Sequence, residues 1–194
     1  MLTRTSWPTL TLVAVCTILT LVVEGLDGSY FGVTGDARQA LSFMPTAPLR
    51  LGGLTVLLAP GIHLSLSHLG INLLLLVPLA LIIERKHSPR MLFTHLAIIH
   101  FLALLGLWLA SFALNLEGRG FLGLSQVVIG LYAFWGLRTR QWSYFLIALS
   151  VLLAGLAQDQ SGLVVGAHAL GLCAGVLLFL LHRLQLRAHA KRSH

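Results

Sequence analysis

Residues 63–85, HLSLSHLGINLLLLVPLALIIER, decide the fold class. From Leu69 to Ile83 the stretch is almost wholly apolar, and an apolar run of about 20 residues spans the hydrocarbon core of a bilayer as a helix. Its two ends are polar: His63, His68 and Asn72 stand near one, and Glu84 at the other. Such side chains are costly inside a membrane, so each is a functional candidate by default. His68 and Asn72 are four residues apart, which puts them about 40° apart around a helix. Ser65 falls on their face, whereas His63, near the helix start, points elsewhere.

The rest of the chain has the same character. Of 194 residues, 57% are hydrophobic and only 10% charged, and the mean hydropathy is +0.88. A soluble domain carries about a quarter charged residues. Six apolar runs are expected to span: about Trp7–Val23, His63–Ile83, Met91–Leu114, Leu122–Leu137, Trp142–Leu156 and Leu163–Leu181. The first is read as a retained helix rather than a signal peptide, because no small-residue cleavage site follows it. Between about Glu24 and Ile62 lies a long loop whose Gly and Pro content argues against a regular span. Its apolar piece LGGLTVLLAPGI is too short to cross, and lies in the interface or re-enters.

Charge placement supports an even count. With six helices, Arg4, Arg85, Lys86, Arg90, Arg138, Arg140, Arg183, Arg187, Lys191 and Arg192 share one side, ten of the 13 basic residues. Arg38, Arg50 and Arg119 take the other, with Glu24, Asp27, Asp36, Glu117 and Asp159. The excess of basic residues marks the cytoplasmic side and places both termini there. The net charge of +7 therefore reads as membrane topology and not as a nucleic-acid surface. Cys16 and Cys173 both sit in apolar runs and form no disulfide framework or metal pair.

Two further runs carry chemistry. GFLGLSQVVIG, residues 120–130, places Ser125 after a Gly-rich approach, with Gly123 two residues before it, where the backbone can turn or approach closely. A lone Ser in a membrane helix more often bonds the carbonyl one turn back. GAHALGLCAG, residues 166–175, places His168 on one face with Gly171 and Gly175, a small-residue pair that admits close helix packing. An imidazole on such a face can take a hydroxyl proton if the partner helix carries Ser125. His95 and His100 are five residues apart, about 140° around a helix, and read as structural. No HExxH motif occurs, and no carboxylate sits inside a span except Glu84 at an end, which argues against a zinc protease. The scarcity of intramembrane acids and lysines also argues against a proton-relay transporter.

This constellation resembles the rhomboid intramembrane serine proteases. The family's second helix carries His, His five later, Asn four later and Glu about twelve later, matched here by His63, His68, Asn72 and Glu84. Its nucleophile lies in Gly-x-Ser-Gly at the start of the fourth helix, matched by Gly123, Leu124, Ser125 and Gln126. The Ala-His-x-x-Gly-x-x-x-Gly pattern of its sixth helix is matched by Ala167, His168, Gly171 and Gly175. Three features depart from the family: Gln126 replaces the last motif Gly, Ile129 replaces an aromatic residue, and the first outer loop lacks a Trp-Arg pair.

The resemblance implies an all-α, six-transmembrane-helix rhomboid-like bundle, one domain over residues 1–194. It has a first helix at about 7–23, an outer loop at about 24–62, a catalytic core at about 63–181 and a basic cytoplasmic tail at 182–194. Ser125 and His168 are then the catalytic dyad, with His68 and Asn72 stabilising the oxyanion and His63, Glu84, Gly123, Gly171 and Gly175 structural. The substrates are transmembrane or membrane-anchored proteins, with no cofactor, no metal and no nucleic acid. The size is similar to the rhombosortases, a short bacterial subgroup, which implies a bacterial inner membrane. Inactive rhomboid relatives bind membrane clients without cutting them, and that is the alternative reading.

Overall fold

The computed structural model describes residues 7–28, 35–114, 120–157 and 162–192. Its α-helices are α1 (Trp7–Asp27), α2 (Asp36–Leu41), α3 (Leu54–Leu58), α4 (Leu66–Lys86), α5 (Pro89–Ser111), α6 (Ser125–Thr139), α7 (Trp142–Ala157) and α8 (Gly162–Arg192). Among the described residues there is no strand beyond an isolated bridge between Phe43 and Phe121. Four helices, α1, α4, α5 and α8, are long and apolar enough to cross a membrane. At 15 and 16 residues, α6 and α7 are shorter. At 1.5 Å per residue, 15 residues reach about 22 Å, against a hydrocarbon core of about 30 Å. Arg4, Glu117, Arg119 and Asp159, which enter the charge argument, lie outside the described residues.

Two helices start later than their apolar runs, each for a local reason. The run at residue 63 becomes helical only at Leu66, because the Ser65 hydroxyl caps the helix by accepting the His68 N–H at 3.1 Å. His63 is therefore off the helix, and its direction follows from the loop rather than from helical spacing. The run at Leu122 becomes helical only at Ser125, because Gly123 adopts φ +103°, outside the helical region. At the other end of the chain, the expected tail from residue 182 continues α8 to Arg192. No Gly or Pro interrupts it, and its closing basic residues suit a helix C-terminus.

The chain forms two compact units: residues 1–94 with 104–125, and residues 95–103 with 126–194. In the first, α4 buries Leu69, Asn72, Leu76, Leu79, Ala80, Ile83 and Glu84. Spacings of three and four put these on one face. Outward positions stay apolar, among them Ile71 and Leu74 on α4 and Ile18 and Val22 on α1, as suits a lipid-facing surface. Glu84 Oε1 accepts the Thr9 N–H at 2.8 Å and so satisfies a free donor in the first turn of α1.

The 24–62 segment is held by charge as well. Arg38, only 1% exposed, lies 2.7 Å from Glu24 Oε1 and 3.1 Å from Asp27 Oδ2. Asp27 also accepts the N–H groups of Ala37 and Arg38. A buried guanidinium is tolerated only when paired and hydrogen-bonded. These residues, spread through a polar loop in the sequence, thus fasten α2 to the end of α1. Farther along, Phe43 and Phe121 exchange backbone hydrogen bonds at 3.0 and 2.9 Å, and Gly123 N–H donates to the Ala59 carbonyl at 2.9 Å. Those bonds fix the approach to Ser125.

In the second unit α6 and α8 meet backbone to backbone. A Cβ on Gly171 would lie 2.1 Å from the Gln126 carbonyl oxygen, and one on Gly175 would lie 2.0 Å from that of Gly130. Residues 126–136 of α6 are all buried, which explains why this helix is apolar around its whole circumference. Gly175→Val is expected to lower the thermal stability of the detergent-solubilised protein by at least about 1–3 kcal/mol. Gly166→Ala, on the same helix, meets nothing within 4 Å and is expected to be neutral or stabilising. Intrinsic-fluorescence melts of the two variants test the contrast.

Candidate functional site

The first unit brings together His63, His68, Gly123 and Ser125. Ser65 starts α4, so His68 sits in its first turn, half-buried, with Asn72 one turn deeper and buried. His68 Nδ1 lies 3.4 Å from the Leu64 N–H, which it accepts. In a neutral imidazole that leaves the proton on Nε2, making this nitrogen a donor. Asn72 Nδ2 donates to the His68 carbonyl at 2.9 Å, one turn back on its own helix.

His63 packs against this pair although helical spacing pointed it elsewhere. The two imidazole rings are 5.3 Å apart, centre to centre, at 69°. Gly123 lies beside both. A Cβ there would meet His68 Cε1 at 2.9 Å and His63 Cδ2 at 3.5 Å. Gly is required twice over at this position, by its φ of +103° and by the closeness of His68. Two residues on, Ser125 opens α6 and is 8% exposed. The start of a helix carries outward-pointing N–H groups and a partial positive charge, which favour developing negative charge.

The second unit holds His168, 6% exposed, on α8 one turn before Gly171. It also holds Gln126, which departs from the motif glycine. Gln126 is fully buried, and its Nε2 lies 3.4 Å from His100 Nδ1. The only non-glycine residues with positive φ among those described are Leu51 and Arg140. Position 126 therefore does not need glycine for its backbone, and its amide is directed at α5. His95, on another side of α5, stacks 4.5 Å from Phe134.

Glu84, at the far end of α4, binds Thr9 and so serves the fold. Nothing in the sequence singles out Thr20. This fully buried residue of α1 meets His63 at two hydrogen-bonding distances, to its backbone N–H and to Nδ1, and the Gly61 carbonyl at a third. A threonine within an apolar run reads as an ordinary membrane-helix residue, and only the tertiary contact marks it. Among the described residues, no cluster of three or more His, Cys, Asp or Glu is placed to hold a metal ion. No protein-family model matches the chain, and no curated protein matches it.

Burial and the neighbouring His68 hold the His63 imidazole down to about 4. The folded protein therefore keeps His63 neutral while an unfolded histidine takes up a proton near 6.5. Between those values the unfolded chain binds more protons, so stability rises with pH there and is lost on acidification. The melting temperature of the wild type is expected to fall between pH 6.5 and 4 more steeply than that of His63→Gln. Parallel melts across that range check it.

Proposed function

We propose that this chain is a rhomboid-type intramembrane serine protease with six membrane spans, α6 and α7 joining the four longer helices, and with both termini cytoplasmic. Ser125 is the nucleophile and His168 the general base. The observation that carries the reading is the convergence of the His63–His68 pair on a left-handed Gly123 two residues before Ser125. A structural role for His68 alone does not call for a donor tautomer beside the start of the helix that bears the serine.

The chemistry follows from these roles. His168 takes the Ser125 hydroxyl proton as Oγ attacks a scissile carbonyl in or near a substrate's transmembrane segment. Negative charge builds on the carbonyl oxygen, and His68 Nε2–H, the Ser125 N–H and Asn72 stabilise it. His168 then protonates the leaving amine. Water, deprotonated by the same imidazole, releases the acyl group and restores Ser125. The choice of His168 rests on the sequence, where it shares a helix face with Gly171 and Gly175.

A second reading has a specific observation in its favour. The Asn72 amide already donates to the His68 carbonyl, as it would in a protein that binds membrane clients without cutting them. Cleavage of a model transmembrane substrate in proteoliposomes separates the two. The wild type is expected to cut, Ser125→Ala to lose activity by at least about 10³-fold, and His68→Ala by about 10²–10³-fold in kcat. Gln126→Gly is expected to stay within about tenfold of the wild type, because the side chain at 126 strains no backbone. Cleavage by Gln126→Gly alone would establish the client-binding reading.

A further inference from the structure

We infer that Thr20 is a positioning residue that acts through His63 to hold His68 as an Nε2–H donor. The functional half of this inference rests on the protease reading; the tautomers themselves do not.

Thr20 Oγ1 accepts the His63 backbone N–H at 3.2 Å and lies 3.4 Å from the Gly61 carbonyl oxygen and 3.3 Å from His63 Nδ1. A hydroxyl has one proton and two acceptor positions. The Gly61 carbonyl can only accept, and both the Thr20 hydroxyl and the His63 imidazole are placed to donate to it; either way the proton of His63 is drawn to Nδ1. With the hydroxyl donating to Gly61, the Nδ1 contact needs its own proton, making Nδ1–H the donor to Oγ1. Every group at Thr20 is satisfied by this arrangement. The opposite tautomer would put an N–H on His63 Nε2, a buried atom that has no hydrogen-bond partner. An orphaned buried donor is costly and rare, whereas an unused lone pair is less so. His63 therefore presents a bare Nε2.

His68 is set in the complementary sense. Its Nδ1 accepts the Leu64 N–H, so its Nε2 carries the proton. The two rings share the space beside Gly123, where a Cβ would lie 3.5 Å from His63 Cδ2 and 3.6 Å from His68 Nε2. A lone pair on His63 favours a proton on the neighbouring His68 edge; an N–H on His63 would repel it. Burial keeps His63 uncharged at neutral pH, which preserves this polarity. The hydrogen bonds run from His63 Nδ1–H to Thr20 Oγ1 and from the Thr20 hydroxyl to the Gly61 carbonyl, and they end at His63, whose ring reaches His68 only by edge-on packing at 5.3 Å between centroids.

The test uses full-length protein, labelled with ¹⁵N-histidine and assigned by His63→Gln and His68→Gln. In the wild type at pH 7, His63 is expected to be protonated at Nδ1 and His68 at Nε2. Thr20→Val, which keeps the shape and loses the hydroxyl, should shift His63 toward the Nε2–H tautomer, and Thr20→Ser should restore it. On a transmembrane substrate, Thr20→Val should lower kcat by about tenfold with KM unchanged, and Thr20→Ser should return it to within about twofold. A wild-type His63 carrying its proton on Nε2 overturns the inference even if Thr20→Val does not fold. So does Thr20→Val with unaltered tautomers, or with altered tautomers and unaltered kcat. If the tautomers respond as stated but the wild type cuts nothing, the Thr20 relay stands and the protease reading fails.

Discussion

The second unit depends on two backbone contacts. The carbonyl oxygens of Gln126 and Gly130 occupy the places where Cβ atoms of Gly171 and Gly175 would stand. In lipid there is little hydrophobic drive to bring two apolar helices together, so close packing of small residues carries the association. That contact covers one face of α6, whose residues 126–136 are all buried and, Gln126 and Tyr132 apart, apolar or glycine. It also leaves no freedom in how residue 126 is presented. The Gln126 side chain leaves on the α5 side and pairs with His100, while the face toward α8 consists of backbone. Gln126 thus sits at the helix start without a positive φ, while its buried Oε1 has no hydrogen-bond partner.

The first unit solves a different problem, which is how to hold an irregular segment near a membrane helix. It does so with polar pairs. Arg38 is neutralised by Glu24 and Asp27, the Phe43 and Phe121 backbones pair, and Ala59 receives Gly123 N–H. Each removes an unsatisfied group from a region poor in water, where such groups cost several kcal/mol. The result is a fixed left-handed turn at Gly123 against two imidazoles. The bond that orients His68 is a separate one, from the Leu64 N–H to its Nδ1.

Much of this was legible in the sequence, and the rest was hidden for identifiable reasons. Apolar runs located every long helix, since length and hydropathy are what a bilayer demands. Small-residue spacing at Gly171 and Gly175 pointed to a tight contact, and the His68–Asn72 spacing to one face of α4. Helix starts were misplaced at His63 and Leu122 because capping by Ser65 and the φ of Gly123 act over one or two residues and leave hydropathy unchanged. Thr20 and the Gln126–His100 pair were invisible, because their partners lie 43 and 26 residues away. The burial of Arg38 was equally hidden, since the two acids that neutralise it look like ordinary loop charges.

The proposed protease chemistry turns on Ser125 acting as a nucleophile activated by His168. Its most direct measurement is labelling by a fluorophosphonate probe in native membranes, with the modified residue mapped by mass spectrometry. Ser125 is expected to be labelled in the wild type, and His168→Ala to reduce the labelling rate by at least about 10²-fold, through loss of a general base. Absence of label from Ser125 in folded protein, or labelling at an equal rate in His168→Ala, would contradict it.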